Sequence, residues 1–217
     1  MQIKTVTSRY LGAKCYIIVE NGHAIVIDPC EAGELETALE GLVLDCVLLT
    51  HEHADHISGV NFLRERYGIP VACSEKCAKY IEDPRMNYSL YFESIKMLMG
   101  YLQTDNDCCM EPFTCRADIT FSEDCESQWQ GHTLLAKLTP GHAAGGVSYL
   151  FDGCVLFVGD NIFLEKETVT RFKGGSKWEL EEITLPWMRT LNPKTQIYPG
   201  HFEPLLLHQW QGLERAQ

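Results

Sequence analysis

Between Thr50 and Gly59 the chain reads THEHADHISG, which places His51, His53, Asp55 and His56 within six residues. Imidazole nitrogen and carboxylate oxygen are the donors that zinc and other borderline divalent ions take. His51 and His53 are two apart, so an extended or turn conformation points both the same way. Asp55 and His56 leave in another direction as the chain turns into the next helix. One loop can therefore address two adjacent ions, but alone it supplies too few ligands to close two sites. Further donors are expected at other strand ends, and three are present. His142 closes the run TPGH, Asp160 closes VGD and His201 closes YPGH. A glycine precedes each, which lets the backbone approach closely.

The elements that must carry these residues can be read from period and punctuation. Tyr16–Val19 and Ala24–Ile27 are apolar runs split by Glu20-Asn21-Gly22-His23, a hairpin signal, and Asp28-Pro29 ends the second run. Gly33 to Leu44 follows a helical period through Leu35, Leu39 and Leu42. Cys46 to Thr50 is a fully apolar run suited to a strand buried on both faces. Val60 to Tyr67 reads as a helix that Gly68 stops, and Val71 to Cys73 as a strand. A helix from Glu75 is broken by Asp83-Pro84. Tyr88 to Leu102 is predicted to be helical, and Asp105 to Asp118 to be a cysteine-bearing loop. Strands return at Leu134–Leu138, Val147–Phe151 and Cys154–Val158, the last two joined by Asp152-Gly153, a favoured hairpin turn. A helix begins near Ser176, Pro186 must kink or restart it, and Gln196–Tyr198 is a last strand. The donors thus follow four strands, an α/β arrangement with its chemistry at one edge.

These motifs together resemble the metallo-β-lactamase superfamily. The matching runs are THEHADH at 50–56, TPGH at 139–142, VGD at 158–160, YPGH at 198–201 and the N-terminal CYIIVENGHAIVIDPC. The resemblance implies a four-layer αβ/βα sandwich, two facing mixed sheets flanked by helices, with a metal site at one edge. It also implies a ligand set. His51, His53 and His142 hold a first metal, Asp55, His56 and His201 a second, and Asp160 bridges them. Two divalent ions follow, zinc foremost, with iron or manganese acceptable to the same donors. Within the superfamily the pattern is similar to the glyoxalase II-like hydrolases. A metal-bridging hydroxide would attack a thioester such as a hydroxyacylglutathione, with Asp55 orienting it as well as ligating. Asp28 is expected either to accept an N–H from a ligand imidazole or simply to form the turn before Pro29. The motif THEHADHISG is also similar to that of the persulfide dioxygenases, which use a single iron, and that is the alternative activity.

The resemblance to glyoxalase II proper is not uniform. Its C-terminal helical region binds glutathione through basic residues, whereas residues 202–217 here contain Arg215 alone. In place of the Gly-Arg stretch of the short bacterial relatives stands VTRFKGGS, whose Arg171 and Lys173 are candidates to anchor a substrate carboxylate. Residues 83–116 form a helical and loop insert. It is expected either to lid the pocket with Tyr88, Tyr91, Phe92, Met97, Met99 and Tyr101 or to pack on the sheet surface. Cys30 takes a usual glycine position near the metals and is a candidate reactive thiol.

With 217 residues, 45% of them hydrophobic and 22% charged, the chain can bury a packed core, and no linker divides it. A single domain spanning residues 1–217 is expected. A net charge of −12 repels phosphate backbones and anionic bilayers, so a small-molecule substrate is expected rather than nucleic acid or a membrane. No stretch is long and apolar enough to be a transmembrane helix, and no signal peptide is expected. The ten cysteines are then read as reduced thiols in a cytoplasm.

Overall fold

A computed structural model of the chain describes residues 1–31, 33–100, 108–162 and 167–210. They form two six-stranded mixed sheets. The first comprises β1 (Gln2–Thr7), β2 (Lys14–Glu20), β3 (His23–Ile27), β4 (Val43–Leu48), β5 (Val71–Ser74) and β6 (Ile119–Phe121), in that spatial order. Its first three strands are antiparallel and the rest pair in parallel. The second comprises β7 (Cys125–Trp129), β8 (His132–Leu138), β9 (Val147–Phe151), β10 (Val155–Gly159), β11 (Gln196–Pro199) and β12 (Leu205–Leu206), also ordered along the chain. Only β10 and β11 are parallel there.

Alternation along the strands builds the layers. On β2 and β3, Tyr16, Ile18, Ile25 and Ile27 face the second sheet and pack with Tyr149, Phe151 and Phe157. Their neighbours Cys15, Ile17, Ala24 and Val26 face outward onto a helical layer. That layer contains α1 (Gly33–Leu39), α2 (Ala54–Ile57), α3 (Val60–Tyr67) and α4 (Glu75–Ile81). On β10, Phe157 points inward while Leu156 and Val158 meet the opposite helical layer through Leu180, Leu185 and Met188. The sequence is therefore helix, sheet, sheet, helix, the four-layer sandwich expected.

Local chemistry explains the element ends. Gly68 stops α3 in the left-handed region (φ 65°), with its N–H on Arg64 O. Ser74 caps α4 by accepting from Cys77 N. Asp152 and Gly153, both at positive φ, turn β9 into β10. Between α4 and β6 the described residues of the insert include α5 (Phe92–Leu98). The second helical layer starts at α6 (Lys177–Glu179), capped by Ser176, and passes through a π-helical turn (Leu180–Thr184). It then continues as α7 (Leu185–Thr190) with Pro186 in its first turn. The wider π turn absorbs the hydrogen bond that proline cannot make, so the helix restarts without a break.

Several bounds differ from the sequence expectations. The helix predicted over Gly33 to Leu44 ends at Leu39, because Glu40-Gly41 turns the chain (Gly41 φ 76°) and Leu44 already belongs to β4. The Tyr88–Leu102 segment is a 3-10 turn (Ser89–Tyr91) followed by α5. Tyr101 and Leu102 lie outside the described residues. Strands β1, β6, β7 and β12 have no predicted counterpart. β6 and β7 are largely exposed and carry no apolar period. Among the described residues no helix is long and apolar enough to cross a membrane and no disulfide joins any cysteine.

Candidate metal centre

The four predicted strand ends do converge. His51 and His53 follow β4, and Asp55 and His56 lie on α2, the short helix that His53 precedes. His142 follows β8, Asp160 follows β10 and His201 follows β11. Backbone and side-chain bonds between the sheets hold this edge together. Val147 N donates to Thr50 O at 2.7 Å and Lys14 N to Gly200 O at 2.7 Å. Tyr16 Oη donates to Pro199 O at 2.6 Å and Tyr149 Oη to Leu49 O at 2.9 Å. The glycines are needed for close approach. A Cβ on Gly159, which has φ 53°, would meet Thr50, and one on Gly200 would meet the Asp160 carboxylate.

His51, His53 and His142 bring one donor atom each to within 4.8 Å of one another, and so do Asp55, His56 and His201. Within the first triad His53 Nδ1 is 3.0 Å from His142 Nε2. Within the second, His201 Nε2 is 3.3 Å from His56 Nε2 and 3.4 Å from Asp55 Oδ2. Asp160 faces both triads. Its Oδ2 is 3.5 Å from His142 Nε2 and 3.1 Å from His201 Nε2, and its Oδ1 is 3.4 Å from His56 Nε2. The structure thus brings together all seven residues that the motifs single out. His51, His53, Asp55, His56, His142 and Asp160 are buried, and His201 is half-buried.

The outer nitrogens are held in ways that fix the tautomers. His142 Nδ1 donates to Val169 O at 2.7 Å and His201 Nδ1 to Leu11 O at 3.0 Å. His56 Nδ1 donates to Asp28 Oδ2 at 3.2 Å. Thr50 gives its hydroxyl proton to Asp28 Oδ2 at 2.5 Å, so its oxygen accepts from His51 Nδ1–H at 3.0 Å. In the tautomers these bonds favour, Nε2 of His51, His142 and His201 is the ligating nitrogen, and on His56 a bound cation would take the place of the Nε2 proton. Asp28 also accepts from Thr50 N at 2.7 Å. It lies near His51 and His56 as a third potential donor group, but its oxygens are already taken by Thr50 and His56, so it supports ligands. It forms the turn as well, at φ 51° before Pro29.

Burial pushes the pKa values of His51, His53 and His142 below the ordinary imidazole value, and neighbouring imidazoles add to the effect for His51 and His53. Burial also opposes charge on His56, yet Asp160 and Asp55 outweigh it and hold its pKa well above normal. Burial works to raise Asp160, and His201 and His56 outweigh that, leaving it well below the usual carboxylate range. Neutral His51, His53 and His142 beside an ionised Asp160 match the protonation states a metal requires. His51 Nε2 is buried with no hydrogen-bond partner, a costly state for a polar atom that a bound cation relieves. The residues therefore fit divalent metal ions.

Sequence reasoning passed over several supports. Thr50 lies inside the motif, yet a threonine there carries no sequence signal of a part in the centre. Glu52 is 1% exposed and accepts from Ala144 N at 3.1 Å and Gly145 N at 3.0 Å, tying the first motif to the His142 loop. Burial pushes its carboxyl up to about 7, against the pull of those backbone donors. Asn87, fully buried, anchors the insert: its backbone carbonyl accepts from Ala54 N and its side-chain amide donates to Phe113 O. The carbonyls of Leu11 and Val169 carry no side-chain signal at all.

The cavity above the centre is lined by His53, Asp55, His142, Asp160 and His201 together with Leu11, Tyr88, Phe92, Ile95, Met99 and Phe172. Of the insert residues singled out, Tyr88, Phe92 and Met99 line it, whereas Tyr91 and Met97 are exposed. Arg171 and Lys173 are exposed, and Phe172 between them takes the place at the cavity. Cys30 is 1% exposed. Its carbonyl packs where a Cβ on Gly59 would stand, so the segment buttresses the start of α3.

The family model for the metallo-beta-lactamase superfamily matches residues 9–201. Among curated proteins, the chain is 29% identical over 208 residues to PksB of Bacillus subtilis (strain 168), described as a probable polyketide biosynthesis zinc-dependent hydrolase; the match covers 92% of this chain and 78% of that protein. It is 27% identical over 188 residues to the hydroxyacylglutathione hydrolase of Acidiphilium cryptum (strain JF-5), covering 86% and 63%. Among solved structures, BLEG-1 B3 metallo-beta-lactamase superposes with a TM-score of 0.80 at 28% identity, covering 98% of this chain and 99% of that one. TTHA1623 in a di-iron-bound form superposes at 0.73 and 24%, covering 99% and 98%, a likeness of fold.

Proposed function

The chain belongs to the metallo-beta-lactamase superfamily, and from that premise we propose that it is a dinuclear metal-dependent hydrolase of thioesters. The observation that carries the reading is the pair of donor triads, each complete, with Asp160 within 3.5 Å of imidazoles from both. His51, His53 and His142 would hold one ion, Asp55, His56 and His201 the other, with Asp160 shared, and zinc is the first choice of metal. The name of the Bacillus relative supports zinc, and that of the Acidiphilium relative supports a thioester.

Bound ions supply an activated water at neutral pH and Lewis-acid polarisation of the carbonyl. The chain's own groups do the rest. Asp55 lines the cavity beside His53 and His142, where its carboxylate orients the attacking water. Tyr88 and Phe172, with ring centroids 5.3 Å apart, exclude bulk solvent. The water oxygen, having given up one proton, bonds to the carbonyl carbon, and the C–S bond breaks with its electron pair on sulfur as a thiolate leaves. The carboxylic acid formed loses its proton and solvent protonates the thiolate, so that carboxylate and thiol result. A thiolate departs without protonation, so no separate general acid is required. The unbridged thiols support action in a reducing compartment such as the cytoplasm.

The test joins metal analysis to activity. Protein purified without added metal should contain about two divalent ions per chain and release thiol from thioesters, S-lactoylglutathione among them. His53→Ala should abolish that release. One iron per chain, no thiol release and oxygen uptake on glutathione persulfide would establish the dioxygenase instead.

A further inference from the structure

The wall of the cavity says more about the substrate than its floor does. Six side chains cover the metal centre: Leu11 from the β1–β2 connection, Tyr88, Phe92, Ile95 and Met99 from the insert, and Phe172 from the segment before α6. Leu11, Phe92 and Met99 form one buried apolar cluster with Tyr10 and Cys108, and Ile95, Val169 and Phe172 pack against it. The aromatic rings reach the ligands themselves. Tyr88 lies 5.2 Å and Phe172 5.5 Å from the His53 ring, centroid to centroid. The one hydroxyl among these six side chains is turned aside, because Tyr88 Oη donates to Lys173 O at 3.3 Å. Among the described lining residues there is no lysine or arginine, and Arg171 and Lys173 are exposed. The formal charge of the whole chain is −12.

A wall of this kind discriminates by chemistry. It gains free energy from burying hydrocarbon and offers a carboxylate no cation. The thiols of biological thioesters are amide-rich and polar, so the part of the substrate that suits the wall is the acyl group. On the reading of the site as a thioester hydrolase, we propose that the natural substrate carries an uncharged, apolar acyl group, seated against Tyr88, Phe92, Ile95, Met99 and Phe172. The polar thiol moiety then points out to solvent.

The experiment holds the thiol constant and varies the acyl group. Metal-loaded enzyme is assayed with N-acetylcysteamine thioesters of acetate, butanoate, hexanoate and phenylacetate, with succinate as the charged member and S-lactoylglutathione alongside. Each added methylene should raise kcat/KM roughly fourfold over the first few carbons, and the succinyl ester should be the poorest. Ile95→Asn, at a wall position that supplies no metal-ligating atom, should flatten the series while metal content stays at the wild-type value. A flat series in the wild-type enzyme, or S-lactoylglutathione and the succinyl ester turned over as well as hexanoyl, overturns the apolar-acyl assignment and leaves the thioester reading standing. No thiol release from any member overturns the thioester reading and this one with it.

Discussion

Asp28 shows how much of this centre depends on a residue that touches no substrate. One carboxylate takes the Thr50 N–H, the Thr50 hydroxyl and the His56 Nδ1–H, and through Thr50 it sets the tautomer of His51. The turn Asp-Pro is visible in the sequence, and a contact with a ligand imidazole is one of its two expected parts. Thr50 as the link to His51 is not visible, because a threonine before a histidine has no signature of its own. Asp28→Asn keeps a side chain that tolerates the left-handed backbone but supplies one acceptor oxygen where two are used. Metal affinity should fall about 10- to 100-fold, measured by competition with a chromophoric chelator, while the circular dichroism spectrum is unchanged. Affinity within about twofold of wild type, well short of that loss, would show that Asp28 only shapes the turn.

At the level of elements, the site depends on loops held by partners far along the chain. Glu52 joins the β4–α2 loop to the β8–β9 loop through two backbone donors. Glu52→Ala leaves the buried Gly145 N–H and the half-buried Ala144 N–H without their acceptor, at a cost of about 1–3 kcal/mol, seen as a lower urea midpoint. It should also weaken metal at His142 more than Asp28→Asn does at His56, measured by spectroscopy of a cobalt-substituted protein. An unchanged midpoint would mean that water replaces the carboxylate. The elements themselves are largely legible where they are buried: β3 and β9 read as short apolar runs, and α3 shows a helical period. The exposed edge strands β6 and β7 are not, since they pair by backbone alone and side-chain alternation records burial rather than hydrogen bonding. The lining part of Phe172 is hidden in the sequence by its charged neighbours, whose chemistry is the more conspicuous.

For the whole molecule, the donors divide between the two sheets. His51, His53, Asp55 and His56 belong to the first, and His142, Asp160 and His201 to the second. Ions shared between them would therefore act as a clamp on the sandwich edge. At free metal about 100-fold above Kd, binding adds about 2.7 kcal/mol, which for a chain of this size is a shift of roughly 5–10 °C in Tm. Dialysis against a chelator should lower Tm by that amount, and zinc should restore it; a change below about 1 °C, far under that shift, would mean that the fold does not feel the ions. The division also orders events at the ribosome. The nascent chain exposes its candidate ligand imidazoles from residue 51 onward, yet the last of these, His201, follows a strand that must lie parallel beside β10, reached only after the α6–α7 crossover is made. Cation capture is thus completed only once β11 has been made, and a truncated product stalled before β11 would carry loose histidines able to scavenge metal without the means to use it.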